Sequence, residues 1–134
     1  MTPDALQTIL KENFANWVLA LQPEVKTADK DHVLVRMPLT PDLARVGGIV
    51  SGQSLAALAD TSMVLAAIAH KGEMSLFATT NLDTQFMRPG TGTAILCRAE
   101  VLRAGRALVF ARADMTEEDS GKLVATATAT FFGN

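Results

Sequence analysis

The sequence holds one cysteine, Cys97, and only two histidines, His32 and His70. A single cysteine excludes an intrachain disulfide and any multi-cysteine zinc site. The histidines fall in different expected elements, with no cysteine or clustered acid at ligand spacing, so no metal or other cofactor is expected. Charge of one sign is also scarce. Twelve Lys and Arg against 14 Asp and Glu give a net charge of -2, with no long basic run. That removes the electrostatic footprint of nucleic-acid binding. Gly47-Gly48 lacks the rest of a phosphate-binding loop and its lysine, and no GxGxxG occurs. The run GIVSG, Gly48 to Gly52, is not the GxSxG of an esterase elbow. The N-terminus has no basic start before an apolar block, so it does not read as a signal peptide. The apolar stretch over 54–69 is too short for a membrane span and carries an acid. These absences point to a cytoplasmic protein with neither a membrane nor a nucleic-acid partner.

What remains is one domain of 134 residues, long enough to bury a core without staples. Hydrophobic residues make up 49% and charged residues 19%. So lightly charged a surface implies that part of it is covered by another subunit. Thr2-Pro3-Asp4 caps and opens a helix whose Leu6, Ile9, Leu10, Phe14, Trp17, Val18 and Leu21 form one apolar stripe. Pro23 ends it, so one N-terminal helix is expected over residues 1–22. Val33, Val35 and Met37 alternate with His32, Leu34 and Arg36 in a strand pattern. A long helix is expected from Gln53 to His70, closed by Gly72 and about 27 Å in length. Four strands follow, near 76–88, 92–103, 107–116 and 122–132, separated by turn residues. Their odd positions are rich in small residues, such as Ala111, Ala113, Ala125, Ala127 and Ala129. The central helix is apolar on nearly every side and needs surroundings on all of them. An alanine-rich sheet face allows close approach. An α+β domain with a curved antiparallel sheet wrapped round one central helix satisfies both.

One carboxylate breaks the pattern of that helix. In LAALADTSMVLAAIA, Leu55 to Ala69, only Asp60, Thr61 and Ser62 are not aliphatic or Met. Asp60 has Ala56, Ala57, Met63 and Val64 as its helical neighbours, and none can pair a charge. An unpaired buried carboxylate costs several kcal/mol or takes up a proton, so an acid kept here is a functional candidate. The helix start is the second. Ser51 can cap it, and Gly52 leaves its backbone N–H open to a ligand at the positive end of the helix dipole. An acid and an oxyanion-stabilising amide together suit hydrolysis of a carbonyl compound. Yet eight residues separate them, about 12 Å along one helix, and a catalytic base must lie within about 3 Å of its target. If both act on one substrate, the protein is at least a dimer with each site shared between subunits.

Four stretches, GGIVSGQSLAALAD, TTNLDTQFMRPG, RAGRALVFARADM and GKLVATATATFF, resemble the hotdog-fold thioesterases, specifically the phenylacetyl-CoA thioesterase-like branch. The resemblance covers about residues 30 to 132. It implies a hotdog fold, an acyl-CoA substrate, no cofactor, and twofold dimers often paired into tetramers. It implies that Asp60 activates water or attacks the thioester, that Gly52 supplies the oxyanion amide, and that Thr79, with Thr80 as its near alternative, positions water. Ser51-Gly52-Gln53 stands where that branch reads His-Gly-Gly, so Ser51 and Gln53 would border the thioester. Arg45 replaces a common asparagine. Arg88, Arg103 and Arg106 fall where relatives often meet CoA phosphates. Met63, Phe77, Phe86 and Met87 are the expected lining of the acyl pocket. Two other classes compete with hydrolysis: a non-catalytic acyl-CoA binding or sensing module, and a hydratase or dehydratase. The last needs a histidine beside the acid.

Overall fold

The computed structural model describes residues 1–133. Thr2 caps α1 (Pro3–Asn13), its Oγ1 accepting from Ala5 N at 3.1 Å, and α1 buries Leu6 and Leu10. The single N-terminal helix expected over 1–22 is broken. Phe14 and Ala15 are extended, with ψ of 155° and 146°, before a short α2 (Asn16–Leu19). Asn13 donates its side-chain amide to Ile9 O at 2.9 Å, offering the last turn of α1 a local alternative to another helical bond. Beyond the break Val18 and Leu21 are buried, but Trp17 stays 64% exposed.

Strands β1 (Glu24–Ala28) and β2 (His32–Pro38) form a hairpin, and β3 (Ala44–Arg45) with β4 (Ile49–Val50) a second, smaller one. The central helix α3 spans Gly52–Lys71, one residue longer at each end than expected. Gly72 closes it in the left-handed region, φ 85°. Four long strands follow: β5 (Phe77–Phe86), β6 (Ala94–Ala104), β7 (Leu108–Glu117) and β8 (Leu123–Gly133). One six-stranded sheet runs β1-β2-β6-β7-β8-β5, antiparallel throughout.

The alternation along β6, β7 and β8 sets which face meets the helix. Ala99, Ala111, Ala113, Ala125, Ala127 and Ala129 all point inward and are buried, which lets α3 sit close across the sheet. By length and composition α3 could cross a membrane, but 67% of its most apolar window is buried inside the fold, so it is a core helix. It is not covered on every side, however. Ala56, Ala57, Asp60 and Val64, on one stripe, remain half-exposed.

β5 is the other unfinished surface. Among the described residues it pairs only with β8, and its second edge is open along a ten-residue strand that is exposed at most positions. Long open edges invite pairing with another chain.

Candidate active site

Two separate constellations lie along α3. The first is at its start. Gly47 and Gly48 carry φ of 97° and 73°, and this left-handed turn, which glycine alone adopts freely, folds the chain back through β4 into α3. Ser51 caps the helix as expected, its Oγ accepting from Ser54 N at 3.3 Å and lying 2.6 Å from Ser54 Oγ. Leu55 N bonds to Ser51 O. Among the described residues the N–H groups of Gly52 and Gln53 have no partner, as the first turn of a helix leaves them. A cavity of about 400 Å³ opens at this point, and Gly52, Arg45, Arg88, Phe86 and Met87 border it. A Cβ on Gly52 would meet the Phe86 ring at 3.4 Å, an ordinary contact. Glycine is therefore not required by packing within the chain.

The second constellation is at mid-helix. Asp60 stands on the half-exposed stripe rather than in the core, and its partner comes from across the fold. Thr79 donates its hydroxyl to Asp60 Oδ1 at 2.8 Å. A bulge explains how. Thr79 pairs with Phe131 and Asn81 with Thr130, so Thr80 is the extra residue, and its own hydroxyl bonds to Thr130 O at 3.1 Å. Bulges re-aim the side chains around them. Of the two threonines, the structure brings Thr79 to Asp60 and ties Thr80 to the strand.

Desolvation holds the Asp60 carboxyl above its ordinary range, and the Thr79 hydrogen bond opposes part of that shift. No lysine, arginine or histidine among the described residues forms an ion pair with it. Such a carboxylate is a better base than a solvated one. Beside it lies a cavity of about 340 Å³, bordered by Phe14, Trp17, Val18, Val64, Ile68 and Phe77. Of the four apolar residues expected to line an acyl pocket, only Phe77 borders this cavity. Phe86 and Met87 border the cavity at Gly52, and Met63 is fully buried in the core.

The remaining sequence candidates are scattered. Arg103 is the next-to-last residue of β6 and Arg106 sits in the turn to β7, and neither borders the cavity at Gly52 or the one at Asp60. Gln53 is exposed in the first turn of α3. Cys97 is no nucleophile, since burial pushes its thiol up to about 12. The N-terminal wall of the mid-helix cavity escaped sequence reasoning. Phe14, Trp17 and Val18 look like core positions in an apolar stripe, and periodicity does not distinguish a core from a cavity wall.

This architecture is shared. The family model described as acyl-CoA thioesterase N-terminal domain matches residues 40–132. The chain belongs to this thioesterase family. A solved structure of a candidate thioesterase from Silicibacter sp. TM1040 is 30% identical, covers 100% of this chain and 92% of its own, and superposes with a TM-score of 0.88. A candidate esterase of Thermoplasma acidophilum is 28% identical over 127 residues, 92% of this chain and 93% of its own. The PaaI protein from the phenylacetic acid degradation operon of E. coli shares the fold, with a TM-score of 0.85 at 19% identity over 98% of this chain and 93% of its own. The protein is thus a hotdog-fold thioester hydrolase, α+β, with a curved sheet around one long helix.

Proposed function

We propose that this thioesterase hydrolyses acyl-CoA thioesters in a twofold homodimer, each site combining Asp60 of one subunit with the Gly52 amide of the other. The observation that carries this reading is the separation of two complementary half-sites. Asp60 and the free Gly52 N–H lie eight residues apart on one helix, about 12 Å, too far to act on one carbonyl. The half-exposed stripe of α3 and the open edge of β5 are two surfaces that a second, antiparallel copy would cover together. Pairing of such dimers into tetramers extends the same reading, and sedimentation of the purified chain measures it.

In this mechanism Thr79 occupies Oδ1 of Asp60, leaving Oδ2 to take a proton from water. The water oxygen attacks the thioester carbon, and the carbonyl oxygen takes up the negative charge beside the partner subunit's Gly52 amide. The carbon–sulfur bond then breaks. CoA leaves as thiolate and recovers the proton from Asp60. Arg45 and Arg88, which border the same cavity as Gly52, would meet the anionic part of CoA. Ser51, bonded to Ser54, acts through the helix cap rather than as a nucleophile.

A hydratase would need a histidine at Asp60. His70 lies ten residues further along α3, about 15 Å away, with its Nδ1 2.6 Å from Asp31. His32, at the start of β2, is held between Asp29 and Glu100 of the neighbouring β6. Purified protein is expected to release free thiol from acyl-CoA esters and leave the β-carbon of the acid unchanged. Binding with no thiol released from any short, medium, long or aryl ester would make it a sensor instead.

The pH profile tests the Asp60 role separately. Because its carboxyl is raised in the fold, the acid limb of kcat/KM is expected above the ordinary carboxylate value of 3.8. Thr79→Val removes the hydrogen bond that favours the ionised form, so it should move that limb to still higher pH. A limb unmoved by Thr79→Val would separate Thr79 from the base.

A further inference from the structure

The 340 Å³ cavity begins at Asp60 and continues along α3 past Val64 to Ile68. These positions are four residues apart and share one helix face. Eight residues of helical rise make the trough about 12 Å long. Its walls are the start of β5 and the N-terminal segment, and no lysine or arginine among the described residues lines it. Two of its bordering residues are large, apolar and left in water: Trp17 is 64% exposed and Leu76 83%. Exposed apolar side chains around a cavity mark a place where something apolar binds.

Building on the acyl-CoA reading above, we infer that Phe14 and Trp17 form the acyl-tail wall and select apolar acyl groups of up to about ten carbons in length. With C–C bonds of about 1.5 Å at near-tetrahedral angles, an extended chain advances about 1.25 Å per carbon. A trough of about 12 Å therefore takes roughly ten carbons. Acetyl leaves the wall unfilled. A dicarboxylic acyl group would bury its second carboxylate with no cation to meet it. The family match begins at residue 40, so Phe14 and Trp17 lie outside it.

Trp17 is the sole tryptophan, so its fluorescence reports on this wall alone. The probe is S-decyl-CoA, a thioether that no hydrolase cleaves, titrated against S-ethyl-CoA and free CoA. Decyl-CoA is expected to shift Trp17 emission to the blue in a saturable way, and the other two are not. In parallel, kcat/KM for straight-chain acyl-CoA esters should climb from butyryl to decanoyl by up to about fourfold per methylene, then level off. Trp17→Ala and Phe14→Ala should each lower the decanoyl-to-butyryl ratio of kcat/KM at least tenfold, chiefly through KM. An unshifted Trp17 with decyl-CoA, or a flat chain-length profile while thiol is still released, overturns the inference and leaves hydrolysis standing. A decyl-specific shift without thiol release from any ester upholds the tail site and fails the hydrolytic reading. If Trp17→Ala dissociates the oligomer and leaves the ratio unchanged, the wall is a subunit contact and the inference is wrong.

Discussion

Asp60→Asn is expected to lower kcat at least about a hundredfold, the lower bound for losing a positioned general base. The substitution is nearly isosteric, and the asparagine carbonyl can still accept the Thr79 hydroxyl. KM for an acyl-CoA should therefore change far less than kcat, since an interaction used only in the transition state has been removed. Stability moves the other way. Asp60 titrates above its unfolded value, so the stability it contributes is complete below that value and is lost as pH rises through the folded one. At neutral pH the ionised carboxylate is a burden that asparagine does not carry. The variant should melt at or above the wild-type temperature at pH 7. A variant with normal turnover would make Asp60 structural, and one that is inactive because it is unfolded would fail the melting control.

Gly52→Pro should be comparably damaging, about a hundredfold to a thousandfold in kcat, the range for losing one oxyanion donor. Gly52 is the first residue of α3, where proline is well tolerated because the N–H has no intrahelical partner. Ser51 already has the extended backbone that a residue before proline requires, with φ -68° and ψ 145°. The helix should therefore persist while the amide proton disappears. Gly52→Ala is the control. It keeps the N–H, and the nearest atoms to its Cβ are those of the Phe86 ring, at ordinary distance. Alanine should retain much more activity than proline. Equal losses in the two variants would point to crowding at the helix start and remove the amide from the mechanism.

Much of this was legible in the residues, and what was not shares a physical cause. The length and closure of α3 followed from its apolar run and Gly72. Its fit against the sheet followed from the alternating alanines of β7 and β8, because strand periodicity fixes which face is inward. Asp60 stood out because no local neighbour could satisfy it. Its partner could not be found the same way, since Thr79 reaches it from 19 residues away. The choice between Thr79 and Thr80 depended on a bulge, a matter of pairing between β5 and β8 that neither strand encodes alone. The break at Phe14–Ala15 was hidden for a similar reason. The apolar stripe continues through it, and only contacts with the rest of the fold decide where α1 stops. Half-exposure of the Asp60 stripe was likewise invisible, because an apolar helix surface reads the same whether its own sheet or a second copy covers it.

The shared site is tested most directly by mixing the two damaged chains. Gly52→Pro and Asp60→Asn, each nearly inactive alone, are unfolded together in equal amounts, refolded, and assayed for thiol release from an acyl-CoA. Random pairing makes about half of the twofold dimers mixed, each with one intact site and one doubly damaged site. Roughly a quarter of wild-type activity should then return. If both groups served one site from the same subunit, every site in the mixture would carry a defect. Mixed dimers verified by mass, with activity no higher than the sum of the separate variants, would contradict the account.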